Sequence, residues 1–121
     1  YVSDPVTSQP QPPQAADAYV TGVGQSFPNP FNPETWIPFE LAETSRVEVS
    51  IYDVAGRLVR TIESAILAGG RYGARARAIH WDGHNERGDV ASAGLYFYRF
   101  AATPVGGGAP FATTGRMTLT P

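Results

Sequence analysis

The sequence predicts an all-β protein, an antiparallel β-sandwich of about six or seven short strands. Short runs of β-branched and aromatic residues alternate with polar residues at a period of two, and Gly and Pro separate these runs at regular intervals. No long window shows the period of an amphipathic helix. With 121 residues, of which 42% are hydrophobic and 12% aromatic, the chain fits one domain with a modest core and a tail.

Charge and composition exclude several classes of protein. Nine Arg, no Lys and a net charge of −2 leave no basic footprint for nucleic acid. The absence of Cys excludes a thiol nucleophile, a Cys-ligated metal and a disulfide. No segment reaches the roughly 18 apolar residues of a transmembrane span. Because Tyr1 stands where Met would begin a complete protein, we expect a processed or excised piece of a longer chain.

The chain is predicted to divide into a Pro-rich linker or extended arm over residues 1–26 and a folded module over residues 27–121. Four of the eleven prolines lie in the first part, among Gln, Ser, Ala and Gly. The segment FPNPFNPET follows, and its prolines favour extended, irregular backbone. We predict that this segment anchors the linker to the core through Phe27, Pro28, Pro30 and Phe31.

Strand signals then recur along the module. In TWIPFEL, Ile37, Phe39 and Leu41 fall on one face, and Pro38 predicts an edge strand. RVEVSIYD alternates with a clear period of two, whereas RLVRTIE, which completes a hairpin with it, has no assignable face. A helix is considered only around Glu63 to Leu67. The later strands are ARAIHW, LYFYRFAA and FATTGRMTLT, with TPVGGGAP as a flexible hairpin tip between the last two.

The loop HWDGHNERGD concentrates metal-ligand side chains. His80, Asp82 and His84 would suit zinc if one straight strand carried all three. Gly83 interrupts the strand, which disfavours that spacing. Oxygen-bearing side chains make the loop a weak calcium candidate through Asp82, Asn85, Glu86 and Asp89. The favoured interpretation is a Gly-punctuated turn whose polar side chains cap their own backbone, so we assign neither a metal nor a cofactor.

Catalysis and sugar binding have weaker support. Ser92 could join a His and an Asp in a hydrolytic triad, but the chain has no nucleophile-elbow motif. A small sandwich also leaves little room for the cleft that paired glycosidase carboxylates need. We therefore expect no enzymatic activity. Sugar binding would need an exposed, coplanar strip from Trp36, Tyr96 or Phe97; otherwise alternate aromatic residues of LYFYRF fill the core.

Two hairpins share the form Asp-turn-Gly. Asp53 precedes Gly56 in DVAG, and Asp82 precedes Gly83 in WDG. A carboxylate at this position can accept backbone N–H bonds, and Gly permits turn geometries that a side chain obstructs. Both motifs therefore predict structural turns.

The motifs, taken in order, resemble one family. SFPNPFNPET, WIPFEL, VEVSIYDVAGRLVRTI, AGGRY, WDG, GDVASAGLYFYRF and GRMTL are similar to the C-terminal module related to the FlgD Ig-like domain, often described as a type IX secretion (Por) sorting domain. The resemblance covers Gly24 to Pro121, and WIPFEL resembles the variant found in Poribacteria-like surface proteins. It implies an Ig-like or fibronectin-III-like antiparallel β-sandwich.

This resemblance implies a non-catalytic C-terminal module for export and surface attachment of a larger secreted protein, through the periplasm of a Gram-negative-type bacterium. Its partners would be proteins, either secretion machinery or neighbouring chains of an assembly. The implied turn residues are Asp53, Gly56, Asp82, Gly83 and Gly94. The implied sorting or interaction residues are Tyr96, Arg116, Met117 and Leu119.

Strand addition at the terminal strand is the expected mode of recognition, because Pro38 is expected to blunt the other edge. Two alternatives stay open. One is a structural subunit or spacer that packs against partner chains in an extracellular assembly. The other is a carbohydrate-binding accessory module.

Overall fold

Nine β-strands run through residues 19–121, the part of the chain that the computed structural model describes. Between these two positions no residue is helical. The strands are β1 (Gly22–Val23), β2 (Thr35–Ile37), β3 (Phe39–Leu41), β4 (Ser45–Tyr52), β5 (Leu58–Leu67), β6 (Gly70–Tyr72), β7 (Ile79–Trp81), β8 (Gly94–Pro104) and β9 (Phe111–Leu119).

The strands form two layers around one core. One layer is a four-stranded antiparallel sheet in the order β9-β8-β4-β5. The other combines the three-stranded sheet β1-β3-β6 with the β2-β7 pair. Aromatic rings join the layers, since Phe39 lies 5.4 Å from Phe100 and Trp81 lies 5.3 Å from Tyr96, measured between ring centroids. The predicted Ig-like β-sandwich is confirmed.

Alternation along the long strands builds this core. In β4, Val47, Val49 and Ile51 are fully buried while their neighbours are exposed or half-buried. In β8, the buried side chains are those of Tyr96, Tyr98, Phe100 and Ala102. The faces predicted for RVEVSIYD are therefore correct, and alternate members of LYFYRF fill the core.

Pro38 does not mark an edge strand, and that prediction was wrong. It separates β2 from β3, and β3 lies in the middle of its sheet between β1 and β6. Proline lacks an N–H but keeps its carbonyl. Here the Pro38 carbonyl accepts the Gly24 N–H at 2.8 Å. Pro38 stands between β2, which pairs with β7, and β3, which pairs with β1 and β6. Its missing N–H therefore removes no hydrogen bond from either sheet.

The helix considered around Glu63 to Leu67 is also wrong, because strand β5 continues without a break to Leu67. Its pairing with β4 shifts register between Val49 and Ser50 and again between Ile51 and Tyr52. Such irregularities interrupt the alternation of faces. They explain why RLVRTIE shows no clean period of two.

The folded module begins before the predicted boundary at residue 27. Most of the predicted linker, residues 1–18, lies outside the described residues. Strand β1 pairs with β3, the Thr21 hydroxyl accepts the Ala42 N–H at 2.9 Å, and Ser26 is buried. The stretch from Thr21 to Ser26 therefore belongs to the sandwich.

We predict that Gly83→Ala destabilises the fold much more than Gly56→Ala. Both glycines have φ of 82°, where a side chain costs about 1–2 kcal/mol. At Gly56 an added Cβ meets open space, whereas at Gly83 it would collide with the Pro33 carbonyl oxygen. We expect a loss of about 1–2 kcal/mol for Gly56→Ala and about 3 kcal/mol or more for Gly83→Ala. Urea unfolding measures both, and equal losses would contradict this account of the WDG turn.

Candidate functional site

The loop after β7 uses its polar side chains to cap its own backbone. Asp82 Oδ1 accepts the His84 N–H at 3.0 Å and an Arg60 Nη1 donor at 2.8 Å. Asn85 Oδ1 accepts the N–H groups of Arg87 and Asp89, both at 2.9 Å. The bonds from N–H groups satisfy backbone donors that the turn would otherwise leave unpaired, and the bond from Arg60 ties the loop to β5.

The metal-ligand side chains of this loop point to different partners. His80 Nε2 lies 2.7 Å from Glu34 Oε1. His84 Nδ1 lies 3.1 Å from the Asp82 carbonyl oxygen, and Glu86 Oε2 accepts the Thr61 N–H at 3.1 Å. Within residues 19–121, no group of three His, Cys, Asp or Glu side chains is placed to hold a metal ion.

The DVAG turn repeats the same arrangement at the tip of the β4–β5 hairpin. Asp53 Oδ1 accepts the N–H groups of Ala55 and Arg57, both at 2.9 Å, and Oδ2 lies 3.2 Å from Arg57 Nε. The bond from the Arg57 N–H is the largest influence that holds the pKa of Asp53 below its ordinary value. For Asp82, partial burial raises the pKa, but the His84 N–H bond and the charges of Arg60 and His84 outweigh it and lower the pKa.

Tyr96 has a structural position rather than an exposed one. Its hydroxyl donates to the Ser92 carbonyl at 2.6 Å, the arrangement of a tyrosine corner. Tyr72 repeats the contact with the Ala68 carbonyl, also at 2.6 Å. Burial, with a smaller contribution from the charge of Asp53, raises the pKa of Tyr96.

Three of the four predicted interaction residues cannot present their side chains to a partner, which corrects the prediction from the sequence. Tyr96, Met117 and Leu119 are buried in the core. Only Arg116 is exposed. Recognition through β9 must therefore use its main chain and the side chains of its outer face.

The anchor segment docks beside the end of β9. Phe31 is 2% exposed, its N–H donates to the Thr118 carbonyl at 2.9 Å, and its carbonyl accepts the Thr120 N–H at 2.9 Å. Asn29 Oδ1 accepts the Thr118 N–H at 3.0 Å, and Asn32 Nδ2 donates to the Thr120 carbonyl at 2.9 Å. Neither asparagine was predicted to be an anchor, although the repeated Asn-Pro of PNPFNP was a signal that could have identified them.

The other predicted anchors contribute unequally. Phe27 is half-buried and exchanges two main-chain hydrogen bonds with Trp36, at 2.8 and 2.9 Å. Pro28 and Pro30 are exposed. The Pro28 carbonyl nevertheless accepts the Thr35 hydroxyl at 2.8 Å. Phe31 is therefore the apolar anchor, and the segment around it is held mainly through its backbone.

The outer edge of β9 has a covered part and an uncovered part. The main-chain groups of Thr118 point away from β8, since its carbonyl receives the Phe31 N–H. Alternation in an antiparallel pair turns the main-chain groups of Ala112, Thr114 and Arg116 the same way. No main-chain group within residues 19–121 pairs with these three. A row of N–H and C=O groups is thus available for a further strand.

The aromatic residues considered for sugar binding do not form one platform. Trp36 lies on β2 and is covered by neighbours, with the His80 ring at 5.0 Å and the Arg75 guanidinium at 4.3 Å from its ring. Phe97 is half-buried on β8 of the other layer, and Tyr96 is buried. A coplanar exposed strip of these three is absent.

We predict that Asp82→Asn reduces the loss of stability on acidification. The pKa of Asp82 is lower in the folded state than in the unfolded chain. Its carboxylate therefore stabilises the fold at pH values above the unfolded pKa of about 3.9, and this stabilisation is lost as the pH falls through the folded-state pKa. Asn does not titrate, and its Oδ1 can still accept the His84 N–H. The urea midpoint should drop less between about pH 7 and about pH 3 in the variant than in the parent. Glu48→Gln controls for the removal of one negative charge, and equal drops in parent and variant would contradict the prediction.

Comparison with known proteins identifies one matching domain family. The model of the FlgD Ig-like domain matches residues 34–105. A similar solved structure is the crystal structure of dimeric latent PorU from Porphyromonas gingivalis, with 25% sequence identity and a TM-score of 0.60. The match covers 84% of this chain but only 9% of the PorU chain. No curated protein matches the chain.

The described residues also contain no helix that is long and apolar enough to cross a membrane. The FlgD Ig-like match spans more than half of the sequence and agrees with the two-layered antiparallel fold. The chain belongs to the FlgD Ig-like domain family.

Proposed function

We propose that this chain is a non-catalytic C-terminal module that serves export and cell-surface attachment of a larger secreted protein, in the manner of type IX secretion sorting domains. Membership of the FlgD Ig-like family supports a binding module. The motifs from SFPNPFNPET to GRMTL resemble Por sorting domains, and a similar solved structure carries the name PorU. There the matching part is 9% of a much longer chain, as expected for a module attached to a larger protein.

The observation that carries the proposal is the uncovered edge of β9 between Ala112 and Arg116. Strand addition needs a row of unpaired main-chain groups on a straight strand. The β8–β9 pairing runs without a register shift from Phe111 to Leu119, and no Pro interrupts β9. This edge therefore lacks the bulges and prolines that usually prevent edge-to-edge pairing.

The opposite edge of the same sheet is less suited to strand addition. Strand β5 is irregular in its pairing with β4. The loop after β7 also covers its beginning, since the Glu86 N–H donates to the Val59 carbonyl at 3.1 Å and the Glu86 side chain accepts the Thr61 N–H. The proposal therefore assigns recognition to β9.

A structural subunit or spacer could use the same edge to pack against neighbouring chains of an extracellular assembly. The two functions differ in what the module does to an attached passenger. A sorting module carries the passenger out of the periplasm, whereas a packing module leaves it there. An export assay distinguishes them.

Truncation is a poor test of this edge. Removal of residues 116–121 deletes Met117 and Leu119, which are 1% and 5% exposed. It also deletes Thr118 and Thr120, the main-chain partners of Phe31. Loss of export would then report an unfolded module, so point variants at the edge are needed.

We predict that the full chain, fused to the C-terminus of a periplasmic reporter in a host with type IX secretion, moves the reporter to the surface or medium. Thr114→Pro should reduce surface reporter several-fold, because it removes an outward N–H and adds a ring at the edge. Ser64→Pro is the matched control, since alternation across the sheet also turns the Ser64 N–H outward on β5. Reporter retained in the periplasm with a folded module would overturn the sorting function. Equal export by both variants would overturn the role of β9.

A further inference from the structure

We infer that the uncovered edge of β9 takes up an extended acidic segment of another protein, whose carboxylates lie beside Arg116 and Arg99. The inference rests on the proposed function and specifies its partner. The partner strand would pair with Ala112, Thr114 and Arg116 through its main chain. Its side chains would alternate between an acidic outer face and an apolar inner face.

The outer face next to this edge carries unpaired positive charge. Met117 and Tyr98 point into the core, so alternation places Arg116 and Arg99 on the outer face. Arg116 lies opposite Phe97, and Arg99 lies opposite Thr114. Within residues 19–121 neither guanidinium forms an ion pair.

Farther from the edge the positive and negative charges of the face balance. Strand β4 contributes Arg46 and Glu48, which lie opposite Thr103 and Ala101 of β8. Glu48 is thus the acidic residue that the register places nearest to Arg99, and it lies one strand farther from the edge. A strand added beyond β9 would meet Arg116 first. Complementary charge at this position attracts an acidic segment and disfavours a basic one.

The inner side of the edge suits small or apolar side chains. Gly115 faces the Tyr98 ring so closely that an added Cβ would collide with it. Thr113 is half-buried on the same side. An added strand would cover this side of the sandwich with its inward-pointing residues. The partner is therefore expected to alternate acidic with small or apolar residues.

The chain itself demonstrates that this edge accepts main-chain pairing. Phe31 bridges Leu119 in parallel and binds the main-chain groups of Thr118 and Thr120. That contact ends where Asn29 caps Thr118. The uncovered stretch continues directly from this interface, so an added strand must end before Thr118 and can pair only with the preceding part of β9.

The test is fluorescence anisotropy with the full chain and a labelled heptapeptide of alternating Glu and Val, compared with its Lys and Val counterpart. We expect the acidic peptide to bind, more weakly at about 0.5 M than at about 0.1 M salt, and the basic peptide not to bind. Arg116→Glu should weaken acidic-peptide binding at least about tenfold. Arg87→Glu, which makes the same charge change on the loop after β7, should leave binding unchanged.

Several outcomes would overturn the inference. These are equal binding of the two peptides, no binding of either, or an unchanged affinity after Arg116→Glu. If the chain binds neither peptide but self-associates, and Thr114→Pro abolishes the self-association, the partner of the β9 edge is a second copy of this chain and not an acidic segment. If the peptides do not bind but Thr114→Pro still blocks export, the proposed function stands and only the acidic chemistry of its partner fails.

Discussion

The docking of the Phe31 segment against the end of β9 is the contact on which the rest of the structure depends. The Phe31 ring lies 5.6 Å from the Trp81 ring, and its backbone holds Thr118 and Thr120. The contact closes a loop that contains the whole chain between Phe31 and Thr118, and closing it costs conformational entropy. The burial of large apolar side chains offsets this cost. Because this one segment contacts both layers, the entry and the C-terminal end of the module form a single structural unit.

This unit divides the last strand into a structural part and an available part. Met117 and Leu119 fill the core, and the entry segment holds the main chain of Thr118 and Thr120. The stretch from Ala112 to Arg116 is paired on one side only among the described residues. Polar side chains elsewhere serve the turns: Asp53, Asp82 and Asn85 bind backbone donors. The chemistry that the module offers to a partner is therefore mainly that of a strand edge.

Local alternation predicted much of this structure, and long-range pairing accounts for most of the errors. The faces of β4 follow from a period of two, and the ordered motifs led to the Ig-like family. The central position of β3, which follows Pro38, could not be predicted, because it depends on the pairing of β3 with β1 and β6. The burial of Met117 has the same cause, because it depends on the pairing of β9 with β8 and on the packing of the other layer. Register shifts hid the periodicity of β5.

Amide hydrogen exchange along β9, followed residue by residue by NMR, tests the central claim most directly. The N–H groups of Ala112, Thr114 and Arg116 should exchange rapidly, because they point away from β8. Those of Thr113 and Met117, which point to β8, should be protected, and so should those of Thr118 and Thr120, which bind the entry segment. Uniform protection from Ala112 to Thr120 would show that the edge is already covered and would contradict the account. Rapid exchange at Thr118 and Thr120 would contradict the docking of Phe31.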